Sequence, residues 1–129
     1  MTIVDSSVWI DFFNGKITRE TNLLETLLEK NRIATGDLIL AEVLQGFRDQ
    51  QDHDQAELHL SHLPCFEMVG KTLALKSAKN YRLLRSKGVT VRKTIDMLIG
   101  TFCIEHNHTL LHSDRDFDPM AQHLNLQVL

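Results

Sequence analysis

Two aspartates define the chemistry open to this chain. Asp5 directly follows the apolar run Thr2-Ile3-Val4, and Asp114 lies just after Thr109-Leu110-Leu111. Both runs read as short buried strands. In an open parallel sheet, ligands collect at the carboxyl ends of strands, so these two acids are expected at one sheet edge. Each also has a simpler possible job, capping the helix that follows it. Asp96 falls in the first turn of a helix beginning near Thr94. An acid there stabilises the helix dipole by ~0.3–1 kcal/mol, which is a sufficient structural reason for it. Glu42 lies two turns into another helix, about 130° from the apolar stripe at ~100° per residue, so a solvated position is its default.

Carboxylates that converge within a few ångströms repel one another, and burial raises the cost. A hard divalent cation offsets that cost. Mg²⁺ prefers oxygen ligands and binds through one or two carboxylates together with water and substrate phosphate. Such an ion can lower the pKa of water and offset charge developing on a phosphodiester.

The elements that would position these acids alternate between strand and helix. A helix burying Val8, Trp9, Phe12 and Phe13 is expected to end at Asn14-Gly15, and others from about Arg19 to Asn31, from Asp37 to about Arg48, from Lys71 to Lys87, from near Thr94 with the stripe Ile95, Leu98, Ile99, Phe102 and Cys103, and around Asp118 to His123. Ser6-Ser7 is a candidate cap for the first. Asp49 to Asp54 reads as a polar loop leading into a further helix that ends near His62. Strands are expected at 2–4, 32–35, 66–69, 109–111 and 126–129. The stripe of the long helix at 71–87 is read as Ala74, Ala78, Tyr81 and Leu84. This alternation predicts an α/β fold, with a mainly parallel central sheet flanked by helices on both faces.

The 129 residues are those of one ordinary domain, 1–129, with 43% hydrophobic and 24% charged residues. No apolar run is long enough for a membrane span, and the amino terminus lacks the basic region of a signal peptide, so a cytoplasmic location is expected. Cys65 and Cys103 lack ligand spacing and read as reduced core thiols. The seven histidines lack the pairing of helical zinc sites and read as scattered surface residues. The net charge of −3 conceals an asymmetry. Residues 68–95 carry eight basic side chains (Lys71, Lys76, Lys79, Arg82, Arg85, Lys87, Arg92, Lys93) and no acid. A basic stripe beside an acidic remainder suits a protein that holds a polyanion next to a cation pocket; a merely solvated helix face would look the same.

The order of these features resembles the PIN-domain family over the whole chain. The matching features are Asp5-Ser6-Ser7 at the amino terminus, Glu42 in the second strand-to-helix unit, Asp96 opening a late helix, and Ser113-Asp114-Arg115-Asp116-Phe117 after the penultimate strand. The compact length and the Asp-Arg-Asp-Phe ending are most similar to VapC-type toxins of VapBC toxin–antitoxin pairs. The resemblance implies a single PIN-like domain and an Mg²⁺-dependent (or Mn²⁺-dependent) endoribonuclease. Asp5 and Asp96 would be the principal metal ligands. Glu42 and Asp114 would complete the catalytic pocket, with Asp116 a possible fifth member. Ser6 would support the Asp5 carboxylate. The implied partners are an RNA substrate, a cognate antitoxin that blocks the pocket, and a second copy of the chain in a homodimer.

Two other readings remain open at this level. One is a PIN-type nuclease acting on DNA or in rRNA processing. The other is a non-enzymatic receiver-like Mg²⁺-binding signalling module, disfavoured because Arg115 is the only Lys or Arg after Lys93, whereas a receiver carries a late lysine.

Overall fold

The computed structural model describes residues 1–129. Its elements are β1 (Thr2–Val4), α1 (Ser6–Phe13), α2 (Arg19–Glu29), β2 (Ile33–Gly36), α3 (Asp37–Gln45), α4 (Gln50–Ser61), β3 (Cys65–Phe66), α5 (Lys71–Ser86), α6 (Thr94–Glu105), β4 (Thr109–Leu111), a 3₁₀ turn (Arg115–Phe117) and α7 (Asp118–His123). The four strands form one parallel sheet in the order β3-β2-β1-β4. Thr2, Ile3 and Val4 lie beside Thr109, Leu110 and Leu111.

That order has a consequence for function. The chain moves outward from β1 to β2 to β3 and then returns to place β4 on the other side of β1. Right-handed crossovers put the helices of the two halves on opposite faces. Accordingly, α1 packs on α2 and α3, and α3 on α4, while α5 packs on α6 and α7. The strand order reverses between β1 and β4, and this reversal opens a crevice at their carboxyl ends. Asp5 follows β1 and Asp114 follows β4 by three residues.

The strands are short and apolar because both faces are covered: Ile3, Val4, Ala34, Leu110 and Leu111 are fully buried. Trp9, Leu24, Ile39, Leu60 and Phe117 extend this core on the two sides. Gly36 ends β2 against Met68, and a Cβ there would overlap the Met68 side chain at Sδ, Cγ and Cε. Met68 is 1% exposed and has little room to yield. Gly36→Ala is therefore expected to cost ~1–3 kcal/mol of stability, the usual range for overpacking, read as a lower midpoint in thermal or urea unfolding.

Several sequence expectations are corrected. The stretch Asp49–Asp54 is not a loop: Asp49 caps α4, accepting from the Gln51 N–H at 2.7 Å, and the helix starts at Gln50. The helix after β2 stops at Gln45, and β3 covers only Cys65–Phe66. Residues 126–129 form no strand beyond a Leu110–Val128 bridge. Cys103 is buried but Cys65 is exposed, so only one thiol belongs to the core. The buried stripe of α5 is Leu73, Ser77 and Leu84. The helix is rotated because Asn80 turns inward to donate to Thr101 Oγ1 at 3.1 Å, which leaves Ala74 and Ala78 on an open groove.

Candidate active site

Asp5 caps α1, so its simpler role is real: its Oδ2 accepts from the Ser7 N–H at 3.0 Å and from Ser7 Oγ at 2.6 Å. Its own N–H donates to Leu111 O at 2.9 Å, which ties the end of β1 to β4. Asp114 likewise caps the 3₁₀ turn, accepting from the Asp116 N–H at 3.0 Å. Each cap uses one carboxylate oxygen; the other oxygen of Asp5 has no partner, and that of Asp114 accepts from Lys93 Nζ at 3.2 Å.

The remaining acids reach this edge through their helices. In a strand–helix–strand unit the helix runs antiparallel to the strands, so the amino terminus of α6, which leads into β4, lies at the carboxyl edge. Asp96 is in its first turn and is 2% exposed. Glu42 sits five residues into α3, ~7.5 Å along the axis at 1.5 Å per residue, still close to the edge where β2 ends. It is half-buried, not solvated. Oxygens of Asp5, Glu42 and Asp96 lie within 4.8 Å of one another, and so do those of Asp96, Asp114 and Asp116. The five carboxylates thus form two groups that share Asp96.

The hydroxyls differ from expectation. Ser7, not Ser6, contacts Asp5 by its side chain. Ser7 Oγ also accepts from the Ser113 N–H at 3.2 Å, linking the two strand ends. Ser6 Oγ instead donates to Glu42 Oε1 at 3.1 Å. Helix geometry explains the exchange, because the Asp5 cap reaches back to the residue two positions on.

The electrostatics are those of crowded, desolvated carboxylates. Burial pushes Asp5 above its ordinary value, against the Ser7 hydrogen bonds that lower it, with Asp114 adding to the rise. Burial and then the Asp5 charge raise Glu42. Burial followed by Asp5 and Asp114 raises Asp96 to about 7. Burial also pushes on Asp114, but the Asp116 N–H and the Lys93 ammonium outweigh it and hold Asp114 below the usual range. Asp5 Oδ1 and Asp96 Oδ2 are buried and have no hydrogen-bond partner. Ionised carboxylate oxygens only accept, so two such orphans in one crowded pocket call for an external positive charge. An all-oxygen donor set of this kind fits a hard divalent cation.

No zinc arrangement joins this site. His108 stacks on Phe102 and lies tilted against Phe66, His106 lies tilted against Phe102, and His53, Asp54 and Glu57 lie close together on the outer surface of α4.

The eight basic residues at 71–93 are all exposed, but they are not equivalent. Lys76 Nζ pairs with Glu105 Oε2 at 2.6 Å, Asn80 meets Thr101, and Arg85 shares a groove with Thr94. These contacts run α5 antiparallel to α6. Arg82 and Arg85 are therefore at the Asp96 end of α6, and Lys71 and Lys76 at the far end.

Comparison with known proteins agrees with this geometry. The family profile of the PIN domain matches residues 2–122. The VapC ribonuclease Mb1587 of Mycobacterium bovis is 33% identical over 130 residues, which covers 99% of this chain and 97% of that protein. Ribonuclease VapC11 of Mycobacterium tuberculosis aligns with the same identity and coverage. In structure, the chain is similar to VapBC2 from Rickettsia felis bound to a promoter DNA fragment, with a TM-score of 0.76 at 21% identity over 99% of this chain and 96% of that one. It also resembles Mycobacterium tuberculosis VapC20, a sarcin–ricin loop cleaving toxin, with a TM-score of 0.65 at 15% identity over 92% and 93% of the two chains. With the fold, the strand-edge carboxylates and a full-length relative in agreement, this chain belongs to the PIN-domain family.

Proposed function

We propose that this chain is a divalent-cation-dependent endoribonuclease, a single PIN domain over 1–129 that serves as the toxin of a VapBC-type toxin–antitoxin pair. The observation that carries the reading is the convergence of Asp5, Glu42, Asp96, Asp114 and Asp116, with orphaned oxygens on Asp5 and Asp96. The full-length relatives named as VapC ribonucleases supply the substrate class. Neighbouring structures described as VapBC complexes support a small antitoxin as partner, and a homodimer is part of the same reading. No helix is long and apolar enough to cross a membrane. A cytoplasmic location, where the RNA is, completes the proposal.

Asp5, Asp96, Glu42 and Asp114 would hold Mg²⁺ or Mn²⁺, with Asp116 at the outer edge. When bound, the ion would lower the pKa of water and offset charge on the phosphodiester. Each residue then has a separate task. Asp5 is fixed by its Ser7 hydrogen bonds and presents Oδ1 to the pocket. Ser6 orients Glu42 through Oε1, leaving Oε2 to align and deprotonate the attacking water. Asp114 is held by the Asp116 N–H on one oxygen and by Lys93 on the other. Attack by water predicts a 5′-phosphate and a 3′-hydroxyl. Ser7→Ala is expected to lower cleavage by roughly 10–100-fold, the usual cost of losing a partner that orients a ligand, checked as initial rates on a labelled RNA at saturating Mg²⁺.

The functional test is induced expression with and without the adjacent open reading frame, with RNA 5′ ends mapped across the transcriptome. Growth arrest relieved by the neighbour, with a small set of new 5′-phosphate ends, is expected. Growth unaffected by the wild-type chain and no new ends would remove the toxin reading. Cleavage of matched DNA hairpins in preference to RNA would favour the DNA nuclease instead.

A further inference from the structure

A polar recess of about 420 Å³ opens beside the carboxylates and is lined by no apolar side chain. Its size is within the ~300–1,000 Å³ of ordinary ligand sites, but its walls are wrong for an apolar ligand. Arg92 and Lys93 line it from the segment before α6, and Ser113 and Arg115 from the segment after β4. Asp114 and Asp116 form the side that it shares with the carboxylate cluster. Three cations thus face a cavity that begins where the acidic pocket ends.

These cations have few partners of their own. Neither Arg92 nor Arg115 makes an ion pair. Lys93 Nζ lies 3.2 Å from Asp114 Oδ2, yet its side chain is 60% exposed, so it is held at one end only and is free to swing. An ion arriving among the carboxylates would weaken the claim of Asp114 on Lys93, because both compete for the same oxygens. The free ammonium would then stand at the mouth of the recess. Metal ions gain nothing from a wall of three cations. A nucleic-acid strand does, because it carries a negative charge at every nucleotide and gains binding through each phosphate that a Lys or Arg neutralises. A strand whose scissile phosphate is over the carboxylates must set its next phosphate a short distance beyond them.

We propose that this recess seats the phosphate adjoining the scissile one, with Lys93 moving from Asp114 to that phosphate and Arg92 and Arg115 completing its wall. The inference rests on the ribonuclease reading and adds to it a binding subsite and a direction: the strand leaves the carboxylates on the Asp116 side. The distant part of the basic stripe, Lys71 to Lys79, is not part of this subsite. Lys93 is here a positioning residue for the strand, separate from the groups that act on water.

The test uses the full chain in an Asp5→Asn background, so that RNA is bound but not cut. Anisotropy of a labelled single-stranded RNA is followed across KCl concentrations. Lys93→Met and Arg115→Met should each weaken binding by about three- to tenfold at low salt and make the log–log salt slope shallower by about 0.7, the amount for one single-strand phosphate contact. Lys93→Arg should restore the slope, and Lys79→Met should leave both readings near the parent. Single methylphosphonate substitutions then locate the contact. Neutralising one linkage next to the cleavage site should weaken the parent but have no further effect in Lys93→Met. Additive effects at every linkage, or a slope unchanged by Lys93→Met, would overturn the subsite even where the wild-type chain cleaves RNA. Failure of the wild-type chain to cleave RNA would instead overturn the reading on which it rests.

Discussion

Replacing Asp96 by asparagine is expected to abolish RNA cleavage and to make the metal-free protein more stable. Asp96 is the residue shared by both carboxylate groups and is almost fully buried. Losing it removes a proposed metal ligand. Partners that merely orient a ligand are worth ~10–100-fold, so loss of the ligand itself should exceed a hundredfold. The stability effect has the opposite sign. In the absence of a cation, Asp96 stands among like charges, and burial with Asp5 and Asp114 lifts it to about 7. Asparagine has nearly the same shape, carries no charge, and can donate its amide to an oxygen that otherwise lacks a partner, such as Asp5 Oδ1. The gain should be about 1–3 kcal/mol, within the range for relieving an unsatisfied buried group. Urea unfolding in EDTA reads it. A mutant less stable than the parent in EDTA would contradict the account of the pocket as a strained site awaiting a cation.

The second large effect is a reversal of pH dependence by metal. Asp5, Glu42 and Asp96 all lie above their ordinary values. Between about pH 4, the unfolded value, and pH 7, the folded metal-free chain holds more protons than the unfolded one. Stability must therefore fall as pH rises through that window. Asp96 alone, raised to about 7, corresponds to on the order of 4 kcal/mol. Asp114, held below its usual value, acts oppositely, but only below about pH 4. With Mg²⁺ or Mn²⁺ at a hundred times its dissociation constant, binding adds ~2.7 kcal/mol. That addition grows with pH because the ligands must be deprotonated. The midpoint of thermal unfolding in EDTA is thus expected to be several degrees higher at pH 5.5 than at pH 8, and saturating Mg²⁺ should narrow or invert the difference. A midpoint that rises with pH in EDTA would refute the crowded-carboxylate description.

The sequence went far toward this site and stopped at identifiable points. Asp5 and Asp114 were legible because each follows an apolar run, Asp5 at once and Asp114 after two residues, and β1 and β4 do lie side by side in register. Asp96, placed in the first turn of its helix, has a sufficient reason in the helix dipole. The missing step was connectivity: a helix leading into a parallel strand must start at the carboxyl edge of the sheet, whatever face its apolar stripe suggests. In fact α6 has no clean stripe, since Asp96, Met97, Ile99, Gly100 and Thr101 are all buried. Glu42 followed the same pattern, because an angle measured from the stripe ignores a carboxylate on a neighbouring segment that can cover it. Family resemblance supplied both. The exchange of Ser6 and Ser7 was beyond spacing alone, as it depends on which way the Asp5 cap folds back. α4 was missed at its start because Gln50 to Asp54 is wholly polar, yet the Asp49 cap and two buried residues, Ala56 and Leu60, suffice to hold it. Composition left the basic stripe open between a polyanion-holding face and a solvated one; all eight of its side chains are exposed. The antiparallel packing of α5 on α6 is what separates the cations near the pocket from those that only solvate the helix.

The most direct test of the central claim is cleavage of a defined RNA by the purified chain with Mg²⁺, with EDTA, and with Asp5→Asn, reading the chemistry of the new ends. The account predicts cleavage only by the wild-type chain with metal, leaving a 5′-phosphate and a 3′-hydroxyl. Undiminished cleavage in EDTA, or products ending in a 2′,3′-cyclic phosphate, would contradict it.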